Sequence, residues 1–235
     1  MPLKYLSFHE PSCEVSRLAK GYPMSDASVA PLPSSLSRSR RHAAWVRNLR
    51  LGTGWVLLAF LTMHLMNHAL GLLSLSAMEA GRRVFLVLWR HPLGTVALYF
   101  ALLVHAALAL WALYQRRRLR MPLGEALQLG FGLLLPPLVT THVVGTRLAH
   151  QWFGVSDSYT YVVSALWIFR PDLGWRQSLV LLVAWVHGSM GLYFWLRLKP
   201  WHTRMRPVLF SVALLLPVLA LLGYLWVVKT VLTKF

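Results

Sequence analysis

The chain has 235 residues, of which 57% are hydrophobic and 13% charged, and its formal net charge is +17. Soluble domains carry about 25% charged residues; here the charges are clustered, and the neutral apolar runs between them are too long for a mixed soluble core. The arginines sit at the ends of those runs, which points to membrane topology and anionic lipid headgroups rather than to nucleic acid. Cys13 is the only cysteine, so an intrachain disulfide, a four-cysteine zinc site and an iron–sulfur cluster held by this chain alone are excluded.

Residues 1–42 read as a disordered cytoplasmic segment. Its stretch 31–40 (PLPSSLSRSR) is rich in Pro, Ser and Arg and has little periodicity. No apolar h-region precedes it, so it does not read as a cleaved secretory signal. Its Ser and Arg content also suits a mitochondrial-type presequence, and Met24 offers a second start. Residues 43–230 read as the membrane domain and 231–235 as a short tail.

Five apolar runs follow, at about 52–75, 93–114, 126–148, 178–196 and 208–228. Each is close to the ~20 residues that cross ~30 Å of hydrocarbon. Pro136 and Pro137 fall inside the third run, where a kink or a locally opened backbone is expected. The longest connection, 149–177, contains Trp152, Tyr159, Tyr161, Trp167 and Trp175. Such aromatics suit a short helix at the membrane interface; a quinone headgroup docking there is the rival reading.

Lys and Arg set the orientation. Thirteen of them flank the runs on one side: Arg38, Arg40, Arg41, Arg47, Arg50, Arg116, Arg117, Arg118, Arg120, Arg197, Lys199, Arg204 and Arg206. Six lie on the other: Arg82, Arg83, Arg90, Arg147, Arg170 and Arg176. The N-terminus is therefore expected to be cytoplasmic. Lys229 and Lys234 then face outward, a mild offence against the rule.

Five of the ten histidines, His64, His68, His105, His142 and His187, lie deep in apolar runs, where a polar side chain is costly without a partner. Their depths follow from the helix rise. His105 precedes Arg116 by 11 residues and His187 precedes Arg197 by 10, which puts both ~16 Å from that boundary. His68 follows Arg50 by 18 and His142 follows Glu125 by 17, which puts both ~26 Å from it. His64 falls between. Two layers result, and two histidines at one height on different helices are what a bis-histidine haem needs. The expected fold is thus an all-α integral membrane protein, five transmembrane helices in a haem-binding bundle. His68 is preferred over His64 as the ligand, leaving His64 to hydrogen-bond a haem propionate, a quinone or Asn67.

Small residues near these histidines include Gly71, Gly145 and Gly188. They give room either for a flat macrocycle or for ordinary helix packing. Arg147 suits a haem propionate or a snorkelling role at the interface. None of the seven acids lies mid-membrane, so a carboxylate proton relay is not expected. Phosphate-loop, nucleophile-elbow and zincin motifs are absent from the sequence.

The pattern resembles the di-haem cytochrome b subunit of succinate dehydrogenase and fumarate reductase, in which the first four of five spans each carry a haem-ligating histidine. That resemblance implies His68 with His142 at an outer haem b and His105 with His187 at an inner one. The stretches HLMNHALGLLS, THVVGTRLAHQWFGV and VAWVHGSMGLYFWLRLKPW are more similar to the cytochrome b-like membrane anchors of bacterial class III adenylate/guanylate cyclases, over about 40–222. This sequence lacks the cyclase metal-binding aspartates and the cluster cysteines of that group, and it stops after the fifth span, as a fragment or as a stand-alone cytochrome. The resemblance implies a bacterial inner-membrane cytochrome that is itself non-catalytic, carrying electrons between quinone and an iron–sulfur or flavoprotein subunit. The alternative it implies is a redox- or quinone-sensing anchor for a cyclase output domain.

Overall fold

A computed structural model of the protein describes residues 34–116 and 120–233, with side chains described from residue 40 onward. The protein is all-α, with no strand among the described residues. The chain divides into two units, residues 1–44 and 45–235. The disordered segment expected over 1–42 lies outside the described residues up to 33. Residues 34–42 are helical and open the helix α1 (Ser34–Ala69). No Gly or Pro interrupts the sequence between Ser34 and Leu51, and Arg and Ala favour the helix there.

Five helical stretches are long and apolar enough to cross a membrane: Arg40–Leu72, Pro92–Tyr114, Leu123–Phe153, Pro171–Leu196 and His202–Leu232. They contain four of the five expected runs, and the first stretch ends three residues short of the run expected at 52–75. Their length and apolarity make this a multi-pass membrane protein. Their outward faces carry side chains such as Leu102, Leu103 and Phe210, which lipid covers at no cost.

One helix was not expected. Leu70–Leu72 form a 3-10 turn at the end of α1, and α2 (Leu75–Trp89) follows. Ser74 caps it, its hydroxyl accepting from the Ala77 N–H at 3.0 Å. Met78 and Phe85, seven residues apart on one face, are its buried residues. The next helix, α3 (Pro92–Tyr114), starts with Pro at its first position, where no N–H is needed.

Pro136 and Pro137, where a kink or a locally opened backbone is expected, lie inside a single helix, α4 (Leu123–Val143). The prolines take the helical N–H donor from the carbonyls of Gly132 and Leu133, four residues earlier; their own carbonyls gain side-chain donors, Thr140 Oγ1 to Pro136 O at 2.6 Å and the Arg176 guanidinium to Pro137 O. The irregularity comes later, as a π-helical segment over Val144–Leu148, directly after His142. α5 (Ala149–Phe153) then ends on Gly154, whose φ of +65° is the left-handed conformation that terminates helices.

In the 149–177 connection, α6 (Tyr159–Val163) runs into a π-helical segment over Ser164–Phe169. Trp152, Tyr161 and Trp175 are exposed, as interfacial aromatics should be. Tyr159 and Trp167 instead pack inward with Met78 and Tyr224. Long helices α7 (Pro171–Leu196) and α8 (His202–Leu232) complete the chain.

α4 packs most extensively along α7, while α8 packs on the 3-10 turn and on α7. The α8 crossing is close. A Cβ on Gly71 would collide with the Gly223 carbonyl, and one on Gly223 with the His68 carbonyl. Gly71 therefore serves helix packing. Gly223→Val is expected to lower the thermal midpoint in detergent by the equivalent of about 3 kcal/mol, the upper end of overpacking costs, because backbone cannot yield as a side chain can. Gly130→Val, with open space around it, should leave the midpoint nearly unchanged.

Candidate functional site

The five deep histidines lie on four of the crossing helices: His64 and His68 on α1, His105 on α3, His142 on α4 and His187 on α7. The structure gathers them into two groups.

In the lower group, His105 and His187 face each other with ring centroids 6.3 Å apart and planes at 88°. Each is anchored on a helix other than its own. His105 Nδ1 lies 3.2 Å from the Arg50 carbonyl and 3.3 Å from Thr53 Oγ1, both on α1. His187 Nδ1 lies 3.0 Å from the Gln128 carbonyl on α4. A carbonyl oxygen only accepts, so both Nδ1 atoms carry the proton and both lone pairs sit on Nε2. This is the arrangement that ties down a metal-ligating histidine and fixes its tautomer.

Two glycines that the sequence reading did not single out give these rings room. A Cβ on Gly54 would lie 3.3 Å from His105 Cε1, and one on Gly132 would lie 2.8 Å from His187 Cε1. Of the three glycines it did single out, Gly71 meets Gly223, Gly188 meets Leu58 Cδ1, and Gly145 has nothing within 4 Å.

In the upper group, the ring nearest His142 is His64, at 6.1 Å with planes at 61°. Phe60 stacks on His64 at 5.9 Å and 11°, and Phe85 lies 5.7 Å from it. His68 is 4.6 Å from His64 but turns into a separate buried cluster, 5.6 Å from Tyr159 and 5.3 Å from Tyr224. Its Nδ1 is buried without a hydrogen-bond partner. In that cluster Asn67 Nδ2 donates to Tyr159 Oη at 2.7 Å and Trp167 Nε1 donates to Tyr224 Oη at 2.9 Å. Burial pushes the Tyr159 phenol above its ordinary range.

The two groups repeat one pattern. On α1, the carbonyl of Arg50, the glycine Gly54 and the histidine His64 follow at steps of four and ten residues. On α4, Gln128, Gly132 and His142 follow at the same steps. Ten residues are ~15 Å of helix, so both helices separate the lower level from the upper by the same length. The equality holds for His64 and not for His68, which is 14 residues beyond Gly54.

Facing imidazoles at these separations can share one ion. Metal–imidazole bonds are about 2.0–2.1 Å, so two imidazoles on opposite sides of an ion have centroids roughly 6 Å apart. The helices that carry each pair, α3 with α7 and α1 with α4, are not among the closely packed helix pairs. Among the described residues, no three His, Cys, Asp or Glu side chains converge as a metal cluster. The imidazoles that come together do so in pairs.

Arg147, on the π-helical segment five residues after His142, points to the start of α3, where its Nη2 lies 3.4 Å from Thr95 Oγ1. The chain has no match among protein-family models, curated proteins or solved structures.

Proposed function

We propose that the protein is a membrane cytochrome that holds two haem b groups, one between His105 and His187 and one between His64 and His142. The observation that carries this is the pair of facing rings, 6.3 and 6.1 Å apart, set ten residues apart along two helices by the same glycine spacing. The residues fit the group. The lower histidines use Nδ1 in hydrogen bonds and keep Nε2 free as a ligand atom, and Gly54 and Gly132 keep Cβ atoms off their rings. Haem, when bound, supplies the one-electron chemistry; the chain supplies ligation, spacing and a dry surround. The depth count along the helices prefers His68 as the upper ligand; the ring distance supports His64.

Two such sites ~15 Å apart along the helices suit electron transfer between quinone in the bilayer and a partner flavoprotein or iron–sulfur subunit. Proteoliposomes with trapped ferricyanide test this. Added short-chain quinol should reduce the ferricyanide inside, and His105→Ala should slow it to the rate of empty vesicles. Haem-loaded protein that passes no electrons would favour the sensing anchor of a cyclase-type output instead.

The thirteen-to-six imbalance of Lys and Arg supports a cytoplasmic N-terminus in a bacterial inner membrane. Cys13, the single cysteine, reports on it. A membrane-impermeant maleimide should label it in inverted vesicles and leave it unlabelled in intact spheroplasts; the reverse would invert the topology.

A further inference from the structure

An arginine cluster near the upper histidines carries more positive charge than its carboxylates balance. Glu79 pairs with Arg82 at 2.6 Å, Arg82 with Asp157 at 3.0 Å, and Arg90 with the other Asp157 oxygen. Arg147 has no carboxylate within ion-pair distance among the described residues. Three guanidiniums thus face two carboxylates, and an excess charge in a half-buried place calls for an anion.

The cluster adjoins the upper ring pair from both sides. Thr95 donates its hydroxyl proton to the Trp89 carbonyl at 3.0 Å, so its oxygen accepts from Arg147 and holds that side chain beside Arg90. The Trp89 ring meets Phe60 at 5.2 Å, and Phe60 stacks on His64. From the other side, Arg147 shares a helical run with His142. Arg90 Nε and Trp89 Nε1 are both buried without a hydrogen-bond partner. Burial and the nearby Arg147 and Arg82 hold the Arg90 guanidinium below its ordinary range, as expected of a cation short of counter-charge.

We propose that Arg90 and Arg147 form a carboxylate clamp that takes a propionate of the upper haem, with Asp157, itself paired with Arg82, holding Arg90 in place. The clamp rests on the two-haem reading. Arginine suits it because its planar fork matches a carboxylate, and such bonds are about twice as strong as neutral ones.

The test is a double-mutant cycle with one change on the ligand. The His105→Ala protein, which keeps the upper site alone, is stripped and reloaded with haem or with haem dimethyl ester, whose propionates carry no charge. His187→Ala replaces it if the first variant does not accumulate. The free acid should bind about tenfold tighter than the ester, because charge-assisted bonds are lost with the charge. Arg147→Gln and Arg90→Gln should each shrink that preference towards unity, and Arg147→Lys should restore part of it. An unchanged preference in both glutamine variants overturns the clamp while leaving the haem site standing. Phospholipid that co-purifies with the parent protein and is lost in Arg147→Gln, with the preference unchanged, assigns the cluster to a lipid phosphate and overturns it too. Failure of either haem to bind overturns the clamp together with the haem reading.

Discussion

Replacing His105 with alanine should remove one haem of two and leave the other spectrally intact. The proposed lower site rests on two imidazoles whose ring centroids are 6.3 Å apart, and the substitution deletes one of them. The lost ring is also a structural tie, because its Nδ1 bonds the Arg50 carbonyl on α1. Losing a single hydrogen bond costs about 0.5–1.5 kcal/mol, well short of unfolding a bundle of this size. The upper rings lie ~15 Å further along α1 and α4 and share no side chain with the lower pair. A pyridine haemochrome assay should therefore fall from two haems per chain to one, and His187→Ala should give the same result. Loss of both haems from a folded His105→Ala protein would show that the two levels are not independent.

The second large effect separates two histidines one turn apart. His64→Ala should abolish the upper haem, as His142→Ala should, and the two variants should share one residual spectrum. His68→Ala should keep both haems. Its ring is buried against Tyr159 and Tyr224, so its loss opens a cavity and lowers the thermal midpoint without touching the iron. If His68→Ala loses the upper haem and His64→Ala keeps it, the ligand is His68, and the ten-residue spacing from Gly54 is coincidence. The difference spectrum of the two variants, each purified with the same haem supply, decides this directly.

The five crossing helices are legible in the sequence because lipid demands long uncharged runs, and few other environments tolerate them. The two-level sorting of histidines is legible for a related reason: a polar group at depth is expensive enough to be informative. The α2 helix was missed because Glu79, Arg82 and Arg83 break its apolar run, and because only Met78 and Phe85 are buried on it. The Ser74 cap was the available signal. Depth counted from Arg50 and Glu125, as if both charges sat at one height, favours His68, while the ring distances bring His64 nearer to His142. Long side chains snorkel and helices tilt, so that ruler is good to about a turn.

A second ruler lies in the sequence. Gly54 precedes His64 by ten residues, and Gly132 precedes His142 by ten. Neither glycine shares a span with the ring it flanks, so only the packing of Gly54 on His105 and Gly132 on His187 gives the spacing a meaning. Gly71 is a different case. It is near His68 in sequence, yet its open side is taken by the Gly223 backbone. The inward turn of Tyr159 and Trp167 was equally hidden, because an aromatic in a connection reads as interfacial until a partner such as Tyr224 is seen.

The central claim is that two imidazole pairs each hold one haem. The most direct test is the purified wild-type protein, expressed with ample haem, in a dithionite-reduced minus oxidised spectrum with a pyridine haemochrome count. Two b-type haems per chain are expected. A folded, membrane-inserted protein that carries none would contradict the claim, leaving histidines that do no more than hold helices together.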